Sequence, residues 1–168
     1  MRRFVLAALF TLALAFAVAA SAQTGPPTVA FVSASPVVVT PGHIAHVTLT
    51  FRVGEGFHIN SHKPLDELLL PTVVQLDPPT DIMIAKIEYP EGEMLNFPFS
   101  PESKLSVYSG EFRVTAAVRP AAAMPHGTFR VHGDLRFQAC NNRQCFPPKT
   151  IPVQFDVKIE RAKRTRRG

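Results

Sequence analysis

His46-Val47-Thr48-Leu49-Thr50-Phe51-Arg52-Val53 alternates without a break: every odd position is apolar and every even one is polar. Successive side chains of an extended chain point to opposite faces. The stretch therefore gathers Val47, Leu49, Phe51 and Val53 on one face, which marks a half-buried β-strand. The same period runs through Ile151, Val153, Phe155, Val157 and Ile159, which alternate with Pro152, Gln154, Asp156 and Lys158. Phe112, Val114 and Ala116 repeat it less cleanly. Further strands are expected over residues 28–33, 73–76, 82–87, 128–132 and 134–140.

Turn-forming clusters separate these runs: Pro41-Gly42, Gly54-Glu55-Gly56, Pro78-Pro79, Pro90-Glu91-Gly92 and Pro125-His126-Gly127. The chain carries 16 prolines, which disfavour long helices. Residues 66–70 have room for one helical turn. Residues 89–108, with Pro90, Pro98 and Pro101, show no steady alternation and are expected to form a long loop carrying Phe97 and Phe99. Many short strands in one domain predict an all-β fold, an immunoglobulin-like β-sandwich, with a closed barrel as the alternative.

The ends read differently. Arg2 and Arg3 precede an apolar run from Phe4 to Ala20, broken by Thr11, and Ala20-Ser21-Ala22 is a small-x-small triplet before Gln23. Residues 1–22 are therefore expected to be a cleaved signal peptide, with a membrane anchor as the competing reading. The triplet and the following Pro26-Pro27 favour cleavage. The formal charge of +5 belongs to the termini. Without Arg2, Arg3 and the residues from Lys158 onward, 10 basic and 12 acidic residues remain. The basic character is thus a tail, expected to be disordered over 160–168, and not a nucleic-acid-binding face. Weak contact of this tail with anionic lipid is a secondary expectation. Residues 23–159 form the expected single domain.

The two cysteines lie in Gln138-Ala139-Cys140-Asn141-Asn142-Arg143-Gln144-Cys145-Phe146-Pro147-Pro148. An exported chain permits a disulfide. Leu135, Phe137 and Ala139 share the core parity, so Cys140 is expected on the outer face at a strand end. The polar run 141–144 then makes a loop with a cysteine at each foot. Closing so short a loop restrains the unfolded chain by only about 2 kcal/mol, against nearly 5 kcal/mol for a loop of about 100 residues. A short bridge near the surface also suits thiol–disulfide exchange. From spacing alone the structural and redox readings stand level.

The segment resembles the N-terminal periplasmic domain of the thiol:disulfide interchange protein DsbD. The likeness is carried by Gln138, Ala139, Cys140, Cys145, Phe146, Pro147 and Pro148. Upstream, Gly56-Phe57-His58-Ile59-Asn60-Ser61, Lys63-Pro64, Leu70-Pro71-Thr72, Glu88-Tyr89-Pro90 and Val107-Tyr108-Ser109-Gly110 support it. The resemblance implies an immunoglobulin-like fold and a periplasmic domain that accepts electrons from a thioredoxin-like donor and passes them to periplasmic oxidoreductases. That is protein-disulfide reductase chemistry, tied to cytochrome c biogenesis. It makes Cys145 the cysteine that forms mixed disulfides and Cys140 the resolving one. It also implies a cap within residues 95–104, with Phe97 or Phe99 as the shielding ring. His58 and Asn60 stand where better-known members carry aromatic residues, and they become candidates for tuning the thiols. The acidic pair expected before the cap phenylalanine is missing; Glu102 is the nearest acid. The membrane-embedded transporter and the thioredoxin-like domain of the large members are expected on separate chains.

No cofactor or metal is implied. His58 and His62 have helical metal spacing, but His58 falls on an expected strand, where i and i+4 lie far apart. Two other functions remain: a non-enzymatic binding module with a structural hairpin disulfide, and a copper-handling protein using Cys140, Cys145 and a histidine.

Overall fold

The computed structural model describes residues 28–161. The expected signal segment 1–22 lies outside the described residues, as does the tail beyond Arg161. Arg161 itself donates from Nε to His126 Nε2 (2.8 Å).

Among the described residues, twelve strands form three four-stranded sheets. The first contains β1 (Val29–Ala34), β3 (Ala45–Val53), β9 (Glu111–Pro120) and β6 (Ile82–Glu88), in that order. The second runs β2 (Val37–Val39), β12 (Lys149–Ile159), β10 (Gly127–Phe137) and β5 (Val73–Asp77). The third runs β11 (Ala139–Cys140), β4 (His58–Asn60), β8 (Ser100–Tyr108) and β7 (Glu93–Phe97).

The alternation that identified β3 also sets its register. Val47, Leu49 and Phe51 face Ala116, Val114 and Phe112 of β9. All six are buried, and the Phe51 and Phe112 rings stack at 5.2 Å. From the second sheet, Val131, Leu135, Phe137, Val153, Phe155 and Val157 enter the same apolar cluster. One core thus lies between the first two sheets, as in an immunoglobulin-like sandwich, with the hydrophobic inner faces held together by removal of their apolar area from water. Gly133 lets β5 approach: a Cβ there would collide with the Gln75 carbonyl oxygen and lie 2.8 Å from Leu76 Cδ2.

Three expectations are corrected. Residues 89–108 are mostly β7 and β8, an antiparallel hairpin; Pro90 precedes β7, Pro98 sits at the tip, and Pro101 lies in the bulged pairing next to it. Residues 66–70 form a single turn, with Leu69 N–H bonded to Asp66 O (3.1 Å) and Leu68 N–H to Asp66 Oδ1 (2.8 Å); the side chain caps the turn, and no helix follows. The separate strands expected at 128–132 and 134–140 are one long strand, β10, followed by a change of sheet at Gln138.

Candidate functional site

The change of sheet builds the site. β10 ends at Phe137 in the sandwich, and two residues later β11 pairs with β4 in the third sheet. Ala139 stands opposite Ile59, and Cys140 opposite His58. The parity that put Cys140 on the outer face therefore stops at Gln138. Cys140 is fully buried (0% exposed), as is its neighbour Ala139 (3%). The outer-face expectation for Cys140 fails because the third sheet covers what would be solvent on a plain sandwich.

Cys140 and Cys145 form a disulfide across an isolated antiparallel bridge, with Cα atoms 3.9 Å apart. The loop between them is organised by Asn141. Its carbonyl-side Oδ1 accepts the N–H groups of Arg143 (2.8 Å) and Gln144 (2.9 Å), and its own N–H donates to Gln144 O (2.9 Å). This is the turn geometry an Asn side chain favours. Phe146 N–H donates to Ala139 O (2.8 Å), Gln138 Nε2 to Phe146 O (3.2 Å), and the Phe146 ring lies 5.9 Å from Phe57. The two cysteines differ in surroundings: Cys145 is an exposed residue and Cys140 is buried.

The β7–β8 hairpin packs on His58, the residue opposite Cys140. Phe97 and Ser100 pair at its tip, and Phe97 packs with Leu105, Val107 and Leu69 in a small second core. The Phe97 ring stacks on His58 at 3.9 Å and on Phe99 at 5.4 Å. Phe99 is the outer ring, 38% exposed, and lies parallel to His58 at 6.3 Å. His58 is thus the platform on which the expected cap rests, beside Cys140. Burial lowers its pKa below the usual 6.5 and is the only cause. Its Nε2 is buried without a hydrogen-bond partner.

Five of the six sequence-derived site residues converge: Cys140, Cys145, His58, Phe97 and Phe99. Asn60 does something else. Its Nδ2 donates to Leu70 O (2.9 Å) and its carbonyl accepts from Thr72 Oγ1 (2.5 Å), which fastens the segment that follows β4; its Oδ1 is buried and unpartnered. His62 also turns away. Its ring stacks on Tyr89 at 3.7 Å and Nδ1 bonds Thr72 O (3.0 Å). Among the described residues no group of three or more His, Cys, Asp or Glu side chains gathers as a metal site. The serine pair Ser61 and Ser106, whose hydroxyls bond at 2.8 Å between the end of β4 and β8, was not anticipated. Small polar residues carry no periodicity signal to betray such a contact.

No curated protein matches the sequence. Solved structures do. The reduced N-terminal domain of Neisseria meningitidis DsbD is 22% identical, with 73% of this chain and 80% of that one covered and a TM-score of 0.43. The N-terminal periplasmic domain of Proteus mirabilis ScsB is 11% identical, with 74% of this chain and 44% of that one covered and a TM-score of 0.48. A complex between the DsbD and PilB N-terminal domains of N. meningitidis is matched at 20% identity, over 66% of this chain and 73% of that one, with a TM-score of 0.39. The family model for the N-terminal domain of thiol:disulfide interchange protein DsbD matches residues 26–156, which takes in both cysteines, β4 and the β7–β8 hairpin, and the chain belongs to that family.

Proposed function

We propose that this protein is a periplasmic thiol–disulfide exchange domain that relays electrons through Cys140 and Cys145. One observation carries the reading: the disulfide presents an exposed cysteine and holds the other fully buried, opposite a histidine on which Phe97 stacks. Exchange requires a thiolate to reach one sulfur in line with the bond it breaks. A thiolate of a thioredoxin-like donor attacks Cys145 Sγ, and the Cys140–Cys145 bond breaks with its electron pair left on Cys140. The donor's second thiol, as thiolate, then attacks the donor sulfur of the mixed disulfide. That leaves the donor oxidised and the pair reduced once its two sulfurs take up the protons the donor gave up. The reduced pair passes both electrons to an oxidoreductase client by the same steps in reverse. Phe97 and Phe99 shield Cys140 between encounters.

Family membership supports the chemistry, and the unequal exposure supports the order of attack. The test is trapping. A Cys140→Ser variant expressed in its periplasm should accumulate covalent partners through Cys145, released by reductant. If Cys145→Ser traps partners through Cys140 instead, the roles are reversed. If neither variant traps any, the relay fails and the binding-module reading, with its disulfide only pinning the hairpin, takes its place.

A further inference from the structure

We propose that His58 Nε2 is the proton acceptor for the Cys140 thiol in the step that closes the Cys140–Cys145 disulfide. The proposal rests on the exchange reading above and adds a residue to it.

Residues directly opposite in an antiparallel pair project from the same face, with Cβ atoms about 4.5–5.5 Å apart. His58 and Cys140 are such a pair. Buried polar atoms nearly always have a partner, so an orphan nitrogen asks for a reason. His58 Nε2 is such an orphan in a state where Cys140 is oxidised. A disulfide sulfur has no hydrogen to give. Reduction turns Cys140 into a thiol directly opposite His58 and offers the missing donor. The relevant tautomer keeps its proton on Nδ1 and leaves the Nε2 lone pair free.

The surroundings make an acceptor necessary and available. A thiol in an apolar enclosure ionises reluctantly, so the resolving cysteine needs a base. The same burial keeps the imidazole neutral at neutral pH. No charged neighbour is among the causes of that shift. The Phe97 ring at 3.9 Å fixes the imidazole plane.

The step balances as follows. With a client sulfur held on Cys145, the Cys140 S–H proton moves to Nε2. The Cys140 thiolate attacks Cys145 Sγ, the new S–S bond forms, and the Cys145–client bond breaks. The client leaves as a thiolate with the electron pair, and the imidazolium returns its proton to that thiolate or to solvent. The client is reduced by two electrons and the cysteine pair oxidised by two.

An aryl disulfide reagent whose released thiolate is coloured separates the two half-steps by rapid mixing. Its first colour phase reports attack by Cys145, and its second reports attack by Cys140. In His58→Phe, which retains a ring to stack on Phe97, the first phase should match the wild type. The second should slow about a hundredfold at neutral pH, near the lower end of what acid–base groups contribute. The two proteins should converge in alkaline solution, where Cys140 ionises unaided. His58→Gln, which hydrogen-bonds but is not a base, should show the same slowing. An unchanged second phase in both variants overturns the proposal. So does a slowing that persists undiminished into alkaline solution, which means His58 only positions the strand. If the wild type itself gives no second phase, the exchange reading fails first.

Discussion

Cys140 and His58 show how far a single residue can be read from its neighbours. Parity placed Cys140 outside, and it would have been outside had β10 run on; the switch of sheet at Gln138 reversed it. No local signal marks that switch, because pairing partners are chosen by the tertiary fold. His58 was legible as a strand residue near the cysteines, but its place opposite Cys140 is a long-range register. Its burial has a consequence for stability. The folded protein holds the His58 pKa below 6.5, so under more acidic conditions the unfolded chain binds a proton that the folded one refuses. Stability linked to this group is full above about pH 6.5 and is lost as pH falls below it. Thermal unfolding should therefore show a shallower acid decline in His58→Phe than in the wild type between neutral pH and about pH 5. Parallel declines would mean that the imidazole charges freely in the folded state.

At the scale of elements, β3, β9 and β12 were plain because each has one face on the sandwich core and one toward water, which writes a period of two into the chain. The cap hairpin was hidden. β7 is exposed along most of its length, so no apolar face is demanded of it, and Pro98 and Pro101 interrupt the pattern at the tip. Of the two cap rings, the structure gives Phe97 the inner position against His58 and Phe99 the outer. In the reduced protein, Phe97→Ala should speed alkylation of Cys140 by at least about tenfold, within the range that opening a barrier of ~1.4 kcal/mol allows. Phe99→Ala should have a smaller effect. Site-resolved mass spectrometry after timed labelling measures both, and equal labelling in all three proteins would remove the cap from the mechanism. Within the sandwich, Gly133→Ala should cost about 1–3 kcal/mol, since its methyl group meets the β5 backbone. The shift of the urea midpoint reports it.

For the whole molecule, alternation and turn spacing sufficed for the sandwich, and the cysteine motif for the family. The third sheet was not legible, although it turns a hairpin disulfide into a half-enclosed one. Its strands β4 and β11 are three and two residues long and bear little pattern of their own. A stabilising staple would be placed elsewhere: opening this short cross-link should cost only about 2 kcal/mol, measured as the difference in equilibrium unfolding between the oxidised and the reduced protein. The central claim is that this disulfide cycles in the native fold. The most direct measurement mixes the oxidised protein with a reduced thioredoxin-like domain without denaturant and counts alkylated cysteines over time. The account predicts that Cys140 and Cys145 become reduced together, to an equilibrium that shifts with the donor's redox ratio. A disulfide that stays closed until the protein is unfolded would contradict it.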